Sequence, residues 1–472
     1  MQLKGKHVLV LGLGESGLAM ARWCGRQGAK VRVVDTRKEP PYLVALGQQV
    51  PGAEFVSGAM NEGFDKALLD GIDLVVLSPG LSNGMLVLIH ARANGIPVVG
   101  EIELFAWALD DLGLRQADAN FTRVIAITGT NGKTTTTALT AHLCSCGDLP
   151  AKAAGNISPA ALTALMDAID TATLPKVWVL ELSSFQLETL ESLAADAATV
   201  LNISDDHLDR YIDLDDYAAA KARIFLASGE RRGVQVLNRD DFRSKCMALA
   251  DRAVISFGLD APGHEDDFGL HENRGESWIV RGSRFLLPLS ELPINGLHNA
   301  ANAMAALALC AAIGLDPVKL LPALRAFKGL PHRVEKVAEI GGVTYYDDSK
   351  GTNVGATVAA LQGMGRKVVV ILGGDGKGQD FSPLKHAVAA HARAVVLIGR
   401  DGPLIGRAIA ASGVATRAAA DLPEAVALAA AAAKAGDAVL LSPACASFDM
   451  FRNYEHRAQV FIAAVQGLER AT

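Results

Sequence analysis

Aliphatic and β-branched runs, each closed by a glycine turn and followed by a stretch of helical period, recur along the chain. The first run is His7–Leu11, which turns at Gly12, Gly14 and Gly17 before a second strand predicted at Val31–Asp35. Further strands are predicted at Leu74–Leu77 and Pro97–Val99. A second series opens at Val124–Thr128, continues at Val177–Leu182 and Ala198–Asn202, and closes with an Ala-rich helix after Gly296. A third follows the turn Pro331–Arg333, with strands predicted at Val343–Asp347, Lys367–Leu372, Ala394–Ile398 and Ala438–Ser442. Strands alternating with helices build parallel sheets covered on both faces. The pattern therefore predicts an α/β protein of three domains, 1–99, 100–329 and 330–472. The segment 256–291, rich in Gly, Asp and Glu, reads either as a small β-excursion or as a mobile loop. No short repeat is present, which argues against a solenoid.

Length agrees with that division, since 472 residues exceed one hydrophobic core. Half the residues are apolar and 20% are charged, a balance found in soluble enzymes rather than disordered chains. The net charge of −6 gives no footprint for nucleic acid and no polybasic surface for lipid. An anionic substrate must then be held by local cations. The opening MQLKGKHVLVLGLG has neither the n-region nor the cleavage site of a signal peptide, and the Ala-rich stretch 421–441 is interrupted by Glu424, Lys434 and Asp437. A cytoplasmic chain without a membrane span is expected. Its six cysteines are scattered in no zinc-site spacing and are expected to be reduced thiols, mostly in the core.

The strongest local signal is Gly129, Thr130, Asn131, Gly132, Lys133, Thr134, Thr135, between an apolar strand and a helical run. Glycines there let N–H groups turn toward phosphate oxygens, Lys133 reaches the terminal phosphates, and the Thr134 hydroxyl is suited to Mg2+. The spacing departs from the commoner GxxxxGKT form, because the earlier glycine stands three positions before Gly132. The competing reading is a tight strand-to-helix turn with a solvated lysine.

Gly12, Gly14 and Gly17, with Asp35 ending the next strand, match the dinucleotide fingerprint. Taken alone the fingerprint argues for NAD, although a UDP-sugar satisfies the same diphosphate geometry and an empty loop stays open. Glu181 ends a strand expected beside the phosphate-loop strand, where a carboxylate is placed to hold Mg2+. His207 follows the strand at 198–202 and is a second candidate ligand, though a lone loop histidine is more often solvated.

The segments GTNGKTT, ELSSFQLE, SDDHLDRY, AAKARIF and GLHNAANAMAA, in this order, resemble the Mur ligases. LPHRVE, DDSKGTN, LGGDGKGQDF and LSPACASFDMFRNYEHR look like the D-glutamate-adding branch of that family, and the Asp-Asn-Pro-Arg motif of the diaminopimelate-adding branch is absent. The resemblance spans the whole chain. It implies a Rossmann-like UDP-binding domain, a central P-loop ATPase-type domain and a C-terminal Rossmann-like domain that closes over both. The implied substrates are ATP, UDP-N-acetylmuramoyl-L-alanine and D-glutamate, with Mg2+ as cofactor, in a chain expected to act as a monomer in peptidoglycan precursor synthesis.

Residue by residue, the resemblance assigns the UDP substrate to Gly14, Ser16, Asp35, Thr36, Arg37, Ser78 and Gly80, with Asn156 and His207 near its muramoyl-alanine arm. It assigns ATP to Gly129 through Thr135 and to Asn299, Asn302, Arg333 and Asp348, and D-glutamate to Thr352, Lys377, Ser447, Phe448 and Tyr454. Metal ligands are Thr134, Glu181, His207 and Lys221, the last as a carbamate. Lys133, Glu181, His207, Lys221 and Lys350 form the implied catalytic set, with an acyl phosphate as the intermediate.

Two other classes compete. A nicotinamide-dependent dehydrogenase explains the first glycine turn but leaves GTNGKTT and Glu181 idle, and a nucleotide switch needs no second nucleotide domain. Folylpolyglutamate synthase is the nearest functional alternative within the family; Asp35, Thr36 and Arg37 after the glycine-turn domain argue for UDP instead.

Overall fold

The computed structural model describes residues 2–116, 121–206, 210–229, 231–294 and 296–471. Three sheets follow one another along the chain. The first holds β1 (His7–Leu11), β2 (Lys30–Asp35), β3 (Glu54–Ser57), β4 (Leu74–Leu77) and β5 (Val98–Gly100), all parallel in the order β3-β2-β1-β4-β5. The order in which strands are added reverses across β1, so the crevice beyond its C-terminal end is a switch point, where open α/β sheets receive ligands. Gly12 adopts φ +83°, and a Cβ on Gly17 would stand 1.9 Å from the Gly12 carbonyl oxygen. Only glycines allow the helix Glu15–Arg26 to start this close to β1.

The second sheet has nine strands in the order β14-β13-β12-β11-β10-β9-β6-β8-β7. Its parallel part comprises β6 (Arg123–Thr128), β7 (Ala151–Gly155), β8 (Val177–Glu181), β9 (Ala197–Val200), β10 (Val234–Asn238) and β11 (Val254–Phe257). The phosphate-loop strand β6 lies between β8 and β9, as the placement of Glu181 requires. The segment 256–291 resolves as the β-excursion: β12 (Phe268–Asn273), β13 (Glu276–Arg281) and β14 (Arg284–Pro288) extend the sheet, the last two by antiparallel pairing.

The third sheet, of β15 (Glu335–Ile340), β16 (Val343–Asp347), β17 (Val368–Gly373), β18 (Ala392–Ile398), β19 (Ala415–Ala418) and β20 (Ala438–Leu441), runs β15-β16-β20-β17-β18-β19. It is parallel except for the edge strand β15. Strand ends differ from the sequence reading by one or two residues; the interior strands β10 and β11 were not predicted, and neither were the edge strands β3, β7, β15 and β19. These edge strands are short and largely exposed or small in side chain, so the apolar signal is weak.

Packing divides the molecule unequally. One apolar cluster joins Met20 and Trp23 below the first sheet to Phe105 on the helix Glu101–Asp111 and to Leu162, Leu165 and Trp178 under the second. Phe105 and Trp178 meet edge to face with centroids 5.3 Å apart. Fully burying such side chains contributes about 1.5–3 kcal/mol each, so the first two domains are held as one body. The third sheet is sandwiched by clusters of its own, and no apolar cluster among the described residues crosses into it from the second. It docks on the second through polar contacts and the close approach of small residues, Gly363 lying against Gly296, and shares no apolar core with it among the described residues. The thiols of Cys24, Cys144, Cys310 and Cys445 are buried, while those of Cys146 and Cys246 are exposed. Among the described residues no helix is long and apolar enough to cross a membrane.

Candidate active site

At the C-terminal edge of β6 the chain turns through Gly129 (φ +145°) and Gly132 (φ +84°) into the helix Lys133–Cys146. That helix has no side-chain cap, so its first N–H groups remain for an anion. Lys133 folds back, its Nζ donating to the carbonyls of Gly129 at 2.8 Å and Thr130 at 2.7 Å. Burial lowers its pKa, against the pull of Glu181 and Asp206. The loop is braced by Asn202, just past β9: its Oδ1 accepts from Asn131 N at 2.8 Å and its Nδ2 donates to Asn131 O at 3.1 Å.

Glu181, 1% exposed at the end of β8, accepts from Asn156 Nδ2 at 2.8 Å through Oε1. Its Oε2 is buried and has no hydrogen-bond partner among the described residues. An orphaned carboxylate oxygen beside a phosphate loop has the chemistry of a hard-cation ligand, and the Thr134 hydroxyl lines the same cavity. His207, the other proposed ligand, lies outside the described residues.

The cavity at this edge has a volume of about 530 Å3 and is closed on its far side by the third domain, through Arg333, Asp348, Lys350 and Thr352. Asn299 and Asn302, on the helix Leu297–Ala312, complete the wall. Arg333 Nη2 donates to Thr134 Oγ1 at 2.6 Å, so this arginine holds the hydroxyl proposed for Mg2+. Three residues between 329 and 334 have positive φ: Gly329 at +81°, His332 at +62° and Val334 at +51°. Non-glycine residues in that region are strained, so the connection into the third domain is held in an unfavourable backbone conformation by its surroundings. The Lys350 ammonium stands 3.8 Å from the Tyr454 ring centroid, and burial lowers its pKa.

Asp348 is buried and its pKa is raised to about 7 by desolvation, opposed by hydrogen bonding from Ser442 Oγ at 2.7 Å and by Arg333. An unfolded aspartate titrates near about 4, so between those values the folded chain binds the extra proton. Stability from this group is complete below about pH 4 and is lost as pH rises through about 7. Asp348→Asn, which cannot ionise, is expected to exceed the wild type in stability by about 2–4 kcal/mol at about pH 8. The gap should shrink as pH falls toward about 4 in parallel denaturation curves. A gap independent of pH would contradict this origin.

Lys221, at the end of the helix Leu214–Ala222, returns beside the phosphate loop as the sequence reading requires. It is 1% exposed, with Nζ 3.0 Å from Gly129 O, 3.3 Å from Thr128 Oγ1 and 4.6 Å from the Tyr217 ring centroid. Burial, and then the neighbouring Lys133, push its pKa well down.

On the first sheet, Asp35 is saturated by its own chain: Oδ2 accepts from Leu13 N at 2.8 Å and Arg37 Nη2 at 2.7 Å, and Oδ1 from Arg37 N and Nε. The Arg37 guanidinium holds its pKa down at about 2. Thr36 and Gly80 are exposed, Ser78 Oγ donates to Gly12 O at 3.0 Å, and Ser16 Oγ, beside Gly14, donates to the buried Glu101 at 2.8 Å. These residues surround the first sheet's switch point, and among the described residues only Asn156 of the proposed UDP-substrate set lines the phosphate-loop cavity. Of the residues proposed for D-glutamate, Thr352 lines the cavity and Tyr454 reaches Lys350. Ser447 is buried, its carbonyl accepting from Met450 N and Phe451 N, while Lys377 and Phe448 are exposed and do not line the cavity.

Sequence comparison matches this architecture domain by domain. Residues 6–100 match the family described as Mur ligase MurD-like, N-terminal domain; residues 127–310 match the Mur ligase middle domain; residues 332–445 match the Mur ligase, glutamate ligase domain. The UDP-N-acetylmuramoylalanine--D-glutamate ligase of Aromatoleum aromaticum is 60% identical over 99% of this chain and 98% of its own. The chain belongs to the Mur ligase family. The ligase of the same name from Dechloromonas aromatica is 58% identical, over 99% of this Mur ligase and 100% of its own length. The fold agrees with solved structures of UDP-N-acetylmuramate-alanine ligase MurC from Thermotoga maritima (TM-score 0.59, 21% identity, 98% and 99% of the two chains) and MurF from Acinetobacter baumannii (TM-score 0.61, 18%, 98% and 91%).

The cavity of this Mur ligase also holds residues that sequence reasoning passed over: Asn202, Ser204, His298, Asn353 and Gly355. His298 was within a quoted motif, yet only its asparagine neighbours drew attention. Its side chain is half-buried, its buried Nδ1 has no partner among the described residues, and desolvation lowers its pKa to about 4, so it faces the cavity neutral. A histidine beside two asparagines at a helix start was the available signal.

Proposed function

We propose that this chain is an ATP-dependent ligase that joins D-glutamate to UDP-N-acetylmuramoyl-L-alanine in cytoplasmic peptidoglycan precursor synthesis. The observation that carries the reading is one cavity in which the phosphate loop and Glu181 of the second domain face Arg333, Asp348, Lys350 and Thr352 of the third. The names of the full-length relatives support the choice of substrates. On this reading residues 1–99 bind UDP, 100–329 bind ATP and 330–472 bring the amino acid.

A carboxylate does not condense with an amine at neutral pH, because hydroxide leaves poorly. In the proposed reaction the alanine carboxylate attacks the γ-phosphorus, ADP departs, and an acyl phosphate forms. The amine of D-glutamate adds to that carbonyl, loses a proton, and phosphate leaves as the amide closes. Lys133, released from the carbonyls of Gly129 and Thr130, neutralises the transferred phosphoryl group, and Lys350 and Arg333 supply charge from the other wall. Thr134, Glu181 and Lys221 as a carbamate are proposed to hold Mg2+, with His207. Mg2+, when bound, supplies positive charge against the phosphate oxygens. Asn156 orients Glu181 and stands on the acceptor side. The test is the product: with ATP, UDP-N-acetylmuramoyl-L-alanine and D-glutamate, mass spectrometry should find the UDP substrate enlarged by one glutamyl residue. ATP consumption without that adduct would refute the reading.

Asp35 and Arg37 are proposed to recognise the nucleotide end, far from the reacting carboxylate. Asp35→Ala or Arg37→Ala should raise the KM for the UDP substrate by about tenfold or more with a smaller loss of kcat, because the interaction is equal in ground and transition states. Steady-state kinetics that show an unchanged KM and a collapsed kcat would contradict that placement.

A further inference from the structure

Besides the Arg333–Thr134 bond, the third domain reaches the phosphate loop through the N-terminus of one helix, Val354–Gly363. Asn353 caps it, Oδ1 accepting from Ala356 N at 2.8 Å, and the same amide's Nδ2 donates to Asn131 Oδ1 at 3.1 Å. Asn131 cannot drift, since both its backbone polar groups are bonded to Asn202. Asn202, Asn131 and Asn353 thus form a continuous line of amides from β9 through the phosphate loop to the third domain.

Gly355 lies in the first turn of that helix, where its φ makes no demand for glycine. Space does. A Cβ there would stand 3.0 Å from Asn131 Nδ2 and 3.4 Å from Ser204 Oγ, tighter than ordinary van der Waals contact. The far end of the helix is set down equally closely: a Cβ on Gly363 would stand 3.0 Å from Gly296 Cα and 3.1 Å from His298 Cε1. Between these points Ala356, Ala359 and Ala360 line the cavity. Small residues at both ends and along the middle leave a helix shaped to lie flat on the second domain, although glycine costs helix stability where it stands.

We infer that Asn353 and Gly355 are positioning residues for the closed enzyme, and that the Asn131–Asn353 amide pair is the latch that ties the third domain to the phosphate loop. Lys350 and Thr352 immediately precede the latch and line the cavity, so its register sets where they stand. The inference rests on the reading above, in which the third domain carries D-glutamate to the nucleotide. Asn202 adds a consequence. The loop that receives phosphate is the loop that holds the domain, so displacement of the loop is transmitted to the docking helix through a single side-chain bond.

Asn353→Ser separates capping from latching, because serine caps a helix well but is too short to reach Asn131. Gly355→Ala and Gly355→Val obstruct the same contact from the other side, the second more severely. In the full-length protein, thermal stability of Asn353→Ser and the affinities for a non-hydrolysable ATP analogue and for the UDP substrate, each measured alone, should stay within about twofold or a few degrees of wild type. The KM for D-glutamate should rise by about tenfold and kcat fall by a similar factor, with Gly355→Val at least as affected as Gly355→Ala. Solution scattering with the ATP analogue and UDP substrate should give larger dimensions for Asn353→Ser and Gly355→Val than for wild type. Wild-type D-glutamate KM and wild-type dimensions in both variants would overturn the latch. So would a loss of ATP-analogue affinity in Asn353→Ser as large as the change in D-glutamate KM, because Asn353 would then belong to the nucleotide site. If the wild type does not use D-glutamate, the functional reading fails, and the scattering comparison still decides the latch.

Discussion

Lys133→Ala is expected to lower turnover by about a thousandfold or more while leaving affinity for the UDP substrate unchanged. The lysine is the one cation carried on the phosphate loop itself, and its ammonium donates to the carbonyls of Gly129 and Thr130. Those bonds keep a buried amine satisfied until phosphate oxygens replace the carbonyls. The surrounding charge favours this exchange, because Glu181 and Asp206 stabilise the ammonium that burial disfavours. The groups proposed for the nucleotide end of the UDP substrate sit on the first sheet, around Asp35 and Gly12, and do not line the cavity that holds Lys133. Equilibrium binding of the UDP substrate and single-turnover phosphate release would separate the two effects. Retention of more than about a tenth of wild-type turnover would remove Lys133 from phosphoryl transfer.

Lys221→Ala and Lys221→Arg are expected to be nearly inactive, for a different reason. An ammonium buried at 1% exposure and facing Lys133 is an unfavourable arrangement, only partly offset by the charges of Asp206 and Glu181. Carbamylation reverses it: the neutral amine adds to CO2 and loses a proton, giving an anion with two oxygens beside Glu181 and the phosphate loop. The neighbouring Thr128 hydroxyl, 3.3 Å from Nζ, is a ready donor to such oxygens. A purely structural lysine, bonded to Gly129 O, would make the same Lys221→Ala variant weak. Small carboxylates distinguish the two. Acetate or formate should partly restore the alanine variant by occupying the vacated oxygen positions and should not restore the arginine variant. Full activity in Lys221→Arg, or an unmodified Lys221 in a well-resolved complex with ATP and Mg2+, would sink the carbamate.

The parts of this molecule that were legible in the sequence are those where one residue type has one physical use. Gly12, Gly17, Gly129 and Gly132 mark turns that a side chain would block, and the apolar runs that precede them became β1 and β6. Glu181 was legible because a carboxylate ending a buried strand is rare without a task, and β8 does lie beside β6. The excursion over 256–291 was ambiguous since β12, β13 and β14 bury only part of each strand, and their charged exposed halves look like loop. Asn353 and Gly355 gave no signal, because an asparagine before a helix reads as a cap and a glycine within one as a weak point. Their use depends on a surface more than two hundred positions earlier, as Asn131 shows. Lys377, Ser447 and Phe448 drew their assignments from resemblance, and the cavity does not include them.

The central claim, that the cavity between the second and third domains couples ATP to amide formation with D-glutamate, is tested most directly by phosphate release from purified protein. The assay supplies ATP, Mg2+ and UDP-N-acetylmuramoyl-L-alanine with a panel of D- and L-amino acids, each alone. Release that is strong with D-glutamate, weak with L-glutamate and absent without the UDP substrate is the predicted result. Equal release with every amino acid, or release that needs no UDP substrate, would contradict the account.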